Sequence, residues 1–230
     1  MNRFFDTEVF QYSFPRILAK FPVTLQIVLV ATVTGLLLGA GLAYVRTRHT
    51  PVLSQLAAVY ISYIRGVPVL AQLFVIYYGL PMLLREVAEI DTRNLDKMIF
   101  IHVTYGLNQA GIMAENMRSS IKSVPAGQWE AGYASGLSGF QTFRRIVVPQ
   151  AARVAIPSFE TGFVALFRST ALAYMVGLAD MMGQVRVLSN VTFRTIEGYV
   201  CVMIIQVVIS LVLERLFSLL NRKLRFGKKI

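Results

Sequence analysis

Residues 22–44 read PVTLQIVLVATVTGLLLGAGLAY, 23 consecutive residues without one charge. A bilayer hydrocarbon core of about 30 Å needs roughly 20 apolar helical residues to span it, so this stretch is long enough to cross. It exceeds the ~7–15-residue apolar region of a signal peptide. Asp6 and Glu8 beside Arg3 also depart from the basic start of such a peptide. The stretch is read as a retained first crossing.

Composition extends that reading to the whole chain. Of 230 residues, 55% are hydrophobic and 15% charged, with mean hydropathy +0.58. A soluble domain carries about 25% charged residues. The formal charge of +11 would suit nucleic-acid binding, but in so apolar a chain it reads as the cytoplasmic Lys/Arg excess of membrane proteins. Cys201 is the only cysteine, so one chain can build neither a disulfide nor a Cys-based metal site. His49 and His102 stand far apart without a cluster around them, and no metal site is expected.

Outward from residues 22–44, apolar windows predict about five membrane helices. After the first, Pro22–Tyr44, the second runs from Leu53 to Leu84, interrupted at Arg65-Gly66-Val67-Pro68. The third covers Met98–Met117, the fourth Ala155–Leu178 and the fifth Tyr199–Phe217. Residues 1–21 are mixed apolar and charged, as in an amphipathic segment on a membrane surface. One domain is expected: spans one to three over 22–117, a polar loop over 118–153, spans four and five over 154–217, and a basic tail over 218–230.

Five crossings put the termini on opposite sides. The side holding Arg46, Arg48, the 118–153 loop and the tail after Phe217 collects twelve cations against one acid, Glu130. The other side has eight cations and seven acids. The basic side is assigned to the cytoplasm, with the N-terminus outside.

The 118–153 loop contains Glu130-Ala131-Gly132, then Gly136 after three residues, Ile146 after nine more, and Pro149 three later. Ala131 and Gly132 are small, so a partner's groove can approach the backbone. Gly136 permits a sharp turn, and Pro149 is expected to stop or redirect the following helix. This spacing resembles the permease loop of ATP-binding-cassette importers, with Gly132 and Val148 as departures. Tyr60-Ile61-Ser62, Arg65-Gly66-Val67-Pro68, Gln72-Leu73-Phe74, Tyr77-Tyr78-Gly79-Leu80-Pro81, Gly127-Gln128, Gln141 and Pro149-Gln150-Ala151 resemble the polar amino-acid uptake branch of that family. Residues 131–139, Phe143-Arg144-Arg145-Ile146 and Gly177-Leu178-Ala179-Asp180-Met181 look like its L-cystine subgroup; glutamate, glutamine and basic amino acids stay open as cargo.

The resemblance implies an all-α membrane protein, the transmembrane domain of a type I importer with a cytoplasmic coupling helix. It also implies a second permease copy or homologue, two P-loop ATPase subunits and an extracellular substrate-binding protein. ATP is expected on the ATPase subunits and no cofactor on this chain, which lacks a Gly-x-x-x-x-Gly-Lys-Ser/Thr loop. Glu130, Ala131, Gly132, Gly136, Ile146 and Pro149 are the expected ATPase-coupling residues.

Intramembrane charges usually face a cavity or a partner, which makes Arg65, Glu115, Glu160, Arg168 with its neighbour Ser169, and Asp180 candidates for a substrate pathway. Glu160 and Arg168 are eight residues apart, about 12 Å along a helix at 1.5 Å per residue. They would meet the two ends of a zwitterion or pair with neighbouring spans. Related chains often carry Gly-Asn at 160–161 and Lys-Asp at 168–169, where this one has Glu160-Thr161 and Arg168-Ser169. Glu115 and Asp180 also fit ordinary interfacial positions. The break after Arg65 reads either as a hinge or as a packing bend. Competing functions are a passive channel or ion-coupled carrier, an importer of another polar solute, a membrane scaffold, and a membrane enzyme, for which no catalytic set stands out.

Overall fold

A chain in hydrocarbon has to satisfy its own backbone N–H and C=O groups, and a helix does so within one segment. The computed structural model describes residues 4–48, 50–92 and 94–225, with side chains as far as Leu219, and these residues are overwhelmingly helical. Arg3, Arg93, Lys228 and Lys229, used in the charge reading, and His49 lie outside the described residues. The helices are α1 (Thr7–Leu18), α2 (Phe21–Thr47), α3 (Leu53–Gly66), α4 (Val69–Phe74), α5 (Leu80–Ala88) and α6 (Lys97–Lys122). They continue as α7 (Ala126–Ala134), α8 (Gly139–Thr142), α9 (Val148–Ser169), α10 (Met181–Thr192) and α11 (Ile196–Arg225).

The largest helix pair is α2 against α6, and small residues make it possible. A Cβ on Gly35 would lie 2.7 Å from the Gln109 Cβ, and one on Gly39 3.0 Å from the Met113 Cβ. Thr34 meets Gly106 higher in the same seam. The paired residues ascend together along both helices, so α2 and α6 run in the same direction, as two crossings separated by one return require.

By length and apolarity, Thr7–Thr47, Val69–Ala88 and Ile196–Leu219 can each cross a membrane. Gly139–Val176 and Met181–Thr192, bent by 48°, can cross as a pair. The expected third crossing, Met98–Met117, falls on α6, which does not reach that apolarity. Its Tyr105, Ala110 and Ala114 are fully buried, as are Thr104, Asn108 and Gln109 or nearly so. Protein sheathes this helix, so polar side chains are tolerated where lipid would exclude them. The lipid-compatible apolar residues sit outside: Leu29, Val33 and Leu37 on α2, and Met203, Val207 and Leu211 on α11, are exposed.

The expected second crossing is broken into α3 and a second helical run from α4 through α5. Pro68 has no N–H, so it cannot donate to the Ile64 carbonyl four residues back, and Val67 adopts an extended backbone. Gln72 supplies the missing donor: its Nε2 reaches the Ile64 oxygen at 3.1 Å and the Val67 oxygen at 2.8 Å. Its Oε1 accepts from Asn108 Nδ2 at 3.1 Å. Gln72 is buried, and α6 therefore clamps the break. Two π-helical turns, Val75–Gly79 and Phe143–Val147, each lie two residues before a proline, Pro81 and Pro149. Lengthening the hydrogen-bond step there moves the ladder past a residue that cannot donate.

The N-terminal segment is held by protein. Asp6 caps α1 by accepting from the backbone N–H of Glu8 and Val9 at 3.0 and 3.4 Å. The helix packs on α10 and α11, burying Ser13 and Ile17. The carboxylate of Glu197 accepts the Asp6 N–H at 2.9 Å, and Arg194 faces the same pair of acids.

The seam predicts that Gly39→Val overpacks the α2–α6 contact and destabilises the protein by about 1–3 kcal/mol. Gly41, with open space around it, accepts alanine with a change of at most about 1 kcal/mol, in the stabilising direction. Thermal unfolding midpoints of the two variants in detergent, read by the loss of the monodisperse peak, check the contrast.

Candidate functional site: a helical loop and a polar groove

The 118–153 loop folds as a small unit with its own core. Val124, Val147 and Ala151 are buried together, with Ile121, Trp129 and Phe143 packed around them. Trp129 stacks on Phe143 at 6.2 Å between ring centroids, which fastens α7 to the π turn before α9. Gly136 has φ +76°, a left-handed conformation that disfavours any other residue. Ser138 then starts α8 with a capping box: its Oγ accepts from the Gln141 N–H at 3.3 Å, and Gln141 Oε1 accepts from the Ser138 N–H at 2.9 Å. Gln150 donates to the Gln128 side chain at 2.9 Å.

Two local expectations change. Gly132 does not open α7 to a partner; it is buried, and a Cβ there would sit 2.5 Å from Thr142 Cγ2. Its smallness serves the packing of α7 on α8. Pro149 does not stop a helix but lies in the first turn of α9, where a missing N–H is tolerated. Gly136 makes the expected turn, and Ile146 is half-buried beside the loop's core. The outward edge consists of Glu130 and Ala131, with Tyr133 52% and Phe140 70% exposed. Glu130 makes no ion pair or hydrogen bond among the described residues. Arg144 and Arg145 are exposed on the neighbouring π turn. The loop thus presents an acid, two aromatic rings and two cations on a rigid support.

The membrane charges separate into different environments. Glu115 is the centre of an ion-pair knot: it accepts from Arg46 at 2.9 Å and pairs with Arg118, and Arg65 lies 3.9 Å away. Asp180 caps α10, accepting from the Gly183 N–H at 2.8 Å, and is 1% exposed. Both carboxylates are occupied by protein. Arg168 lines a hollow of about 290 Å³ with Tyr199, Gln206 and Ser210 of α11. Glu160 is half-buried on α9 and lines neither that hollow nor the larger groove. The structure does not bring Glu160 and Arg168 to one surface.

The larger groove, about 560 Å³, runs between α6, α9 and the start of α4. Asn108, Gln109 and Asn116 line it from α6, and Ser158, Thr161 and Ser169 from α9, with Gly162 and Ala165 keeping its floor low. Its volume falls in the ~300–1,000 Å³ range of small-molecule sites. Its walls offer amide and hydroxyl groups, able to donate and accept hydrogen bonds without a net charge. Of the predicted pathway residues only Ser169 lies here. The groove's other polar lining residues carry no charge, and their signal in the sequence is uncharged polarity at helical spacing. Asn108, Ile112 and Asn116 recur every four residues, and Ser158, Thr161, Gly162, Ala165 and Ser169 share one face of α9.

Comparison with known proteins agrees with this architecture. A family described as "Binding-protein-dependent transport system inner membrane component" matches residues 7–226. The L-cystine transport system permease protein TcyL of Bacillus subtilis is 36% identical, over 98% of this chain and 94% of its own. The octopine transport system permease protein OccM of Rhizobium radiobacter is 33% identical over 94% and 89%. The crystal structure of an amino acid ABC transporter with histidines superposes with TM-score 0.78 at 26% identity, covering 94% of both chains. An inward-facing structure of the MetNI methionine ABC transporter shares the fold, with TM-score 0.68 at 16% identity and coverage of 93% and 97%. From the sheathed central helix, the self-supporting loop and these likenesses together, the chain belongs to the family of binding-protein-dependent transport system inner membrane components, with the transmembrane fold of type I ATP-binding-cassette importers.

Proposed function

We propose that this chain is the permease subunit of an ATP-driven importer of polar amino acids, with L-cystine as the leading cargo. The observation that carries the reading is the loop. It spends its apolar residues on a private core and leaves Glu130, Ala131, Tyr133 and Phe140 facing outward. A rigid helical knob without a partner in its own chain suits docking into another subunit. The cargo follows from the relatives named for L-cystine and other amino-acid transport and from the uncharged amide and hydroxyl lining of the groove.

In this reading the loop faces the cytoplasm, the N-terminus lies outside, and two P-loop ATPase subunits bind the loops of two permeases. The second permease is another copy or a homologue, and an extracellular substrate-binding protein delivers cargo to the outer face. ATP hydrolysed on the ATPase subunits biases the pair between outward- and inward-facing states. This chain supplies the groove along which the cargo passes.

The test is reconstitution of the complex in vesicles, with ATP-driven uptake measured for L-cystine, glutamine, glutamate and arginine. Uptake of L-cystine above the others supports the cargo; ATP-independent flux through this chain alone would return the reading to a channel or carrier. Glu130→Arg reverses the charge on the docking edge and is expected to abolish ATP-driven uptake, with membrane insertion unchanged on a protease-protection assay. Thr161→Trp fills the groove and is expected to lower uptake by about tenfold or more, since misplacing a bound group by about 1 Å already costs ~100-fold in positioning-dependent processes; normal uptake would move the path elsewhere. Arg168, which lines the hollow beside α11, is a second candidate: Arg168→Met is expected to slow uptake with assembly retained, and unchanged kinetics would remove it from the pathway.

A further inference from the structure

Glu115 joins three helix ends that lie far apart in sequence. Arg46 stands in the last turn of α2, Arg65 in the last turn of α3 just before the Pro68 break, and Arg118 one turn along α6 from Glu115 itself. The three cations share one carboxylate. Arg46 and Arg118 are the closed arms, with side chains 24% and 18% exposed; Arg65 is the open arm, 59% exposed and 3.9 Å away. Three guanidinium groups around a single acid repel one another, and among the described residues Glu115 is the acid that pairs with the cations at the ends of α2 and α3.

The same helix leads straight into the docking loop. α6 ends at Lys122 and α7 begins at Ala126. Between them Val124 is buried in the loop's core with Val147 and Ala151, so the connection is short and packed. Movement of the loop is therefore delivered to the last turns of α6. At that level, the ion pairs of Glu115 tie α6 to α2 and α3 by charge. Higher on α6, Asn108 holds Gln72 at the break that α3 ends on. The carboxylate sits between the element that would receive the ATPase's motion and the broken span beside the groove.

We infer that Glu115 is the positioning residue that couples the cytoplasmic loop to the broken second span, acting through Arg46, Arg65 and Arg118. The inference rests on the proposed importer function and deepens it. Glu115 touches neither cargo nor nucleotide; it fixes which helix ends move with the loop. Neutralising it leaves three cations without their common partner, so the charge tie from the loop end of α6 to the ends of α2 and α3 is lost while the Asn108–Gln72 clamp remains.

The experiment compares uptake with ATP hydrolysis in vesicles holding the complete complex, using whichever of L-cystine, glutamine, glutamate or arginine the wild type takes up fastest under ATP. Glu115→Gln is expected to lower uptake per ATP hydrolysed by about tenfold, inside the roughly 5–150-fold span of allosteric coupling, while hydrolysis falls far less. Glu115→Asp is expected to restore most of the ratio. Arg65→Gln, which keeps the two closed arms and hence the assembly, is expected to give a smaller loss of the same kind. A parallel fall of uptake and hydrolysis in Glu115→Gln, or a wild-type ratio in Arg65→Gln where Glu115→Gln fails to assemble, would overturn the inference while leaving the importer intact. A wild-type complex without ATP-driven uptake would overturn the proposed function and this inference with it.

Discussion

The close approach of α2 to α6 is the contact on which the rest of the structure depends. Between two helices in lipid there is little hydrophobic drive to associate, because lipid tails are as apolar as the side chains, and small residues that let backbones approach supply the packing. Gly35, Gly39 and Gly106 do this here. Sheathed on this side by α2, α6 can carry Thr104, Asn108, Gln109 and Asn116 through a crossing that lipid alone would not accept. Those polar groups then serve two ends: Asn108 holds the broken span, and the groove draws its lining from the same helix.

The absence of water in the bilayer core explains the irregular places as well as the regular ones. A proline in a membrane helix frees a carbonyl, and leaving it bare in hydrocarbon is costly. This chain meets the cost in two ways. At Pro68 a buried glutamine replaces the lost donor. Ahead of Pro81 the ladder itself lengthens into a π turn, and the same device precedes Pro149 in the loop. The first device creates a break with a side-chain lock from a neighbouring helix; the second keeps the helix running. That difference separates the broken second span from α9, which stays continuous with the loop before it.

The loop and the groove are built for opposite purposes. The loop is stiff: an aromatic stack, a buried glycine contact and a capping box fix its shape before any partner arrives, and such preorganisation reduces the ordering cost of binding. The groove is lined by short side chains on two helices that touch over only part of their length, so a modest shift of α9 against α6 changes its width. A rigid loop joined to an adjustable groove suits the alternating permease proposed for this chain. The helices α6 and α9, which flank the loop in sequence, also form the walls of the groove.

Much of this was legible in the residues. Charge-free runs of about 20 residues showed a helical membrane protein, because the bilayer's thickness sets that length. The break at Arg65-Gly66-Val67-Pro68 followed from proline's missing N–H, and the turn at Gly136 from its freedom at positive φ. The loop's motif and its family resemblance were carried by spacing along the chain, which is a local property. What only the tertiary structure decided were the roles that depend on neighbours. Gly132 faces Thr142 instead of a partner, Glu115 gathers arginines from the ends of α2 and α3 beside one from its own helix, and the groove is lined by Asn, Gln, Ser and Thr more than by charges. A side chain's chemistry can be read from its letter, but whether it faces lipid, protein or an open passage is set by what packs across from it, and in a helical bundle that partner comes from a distant part of the chain.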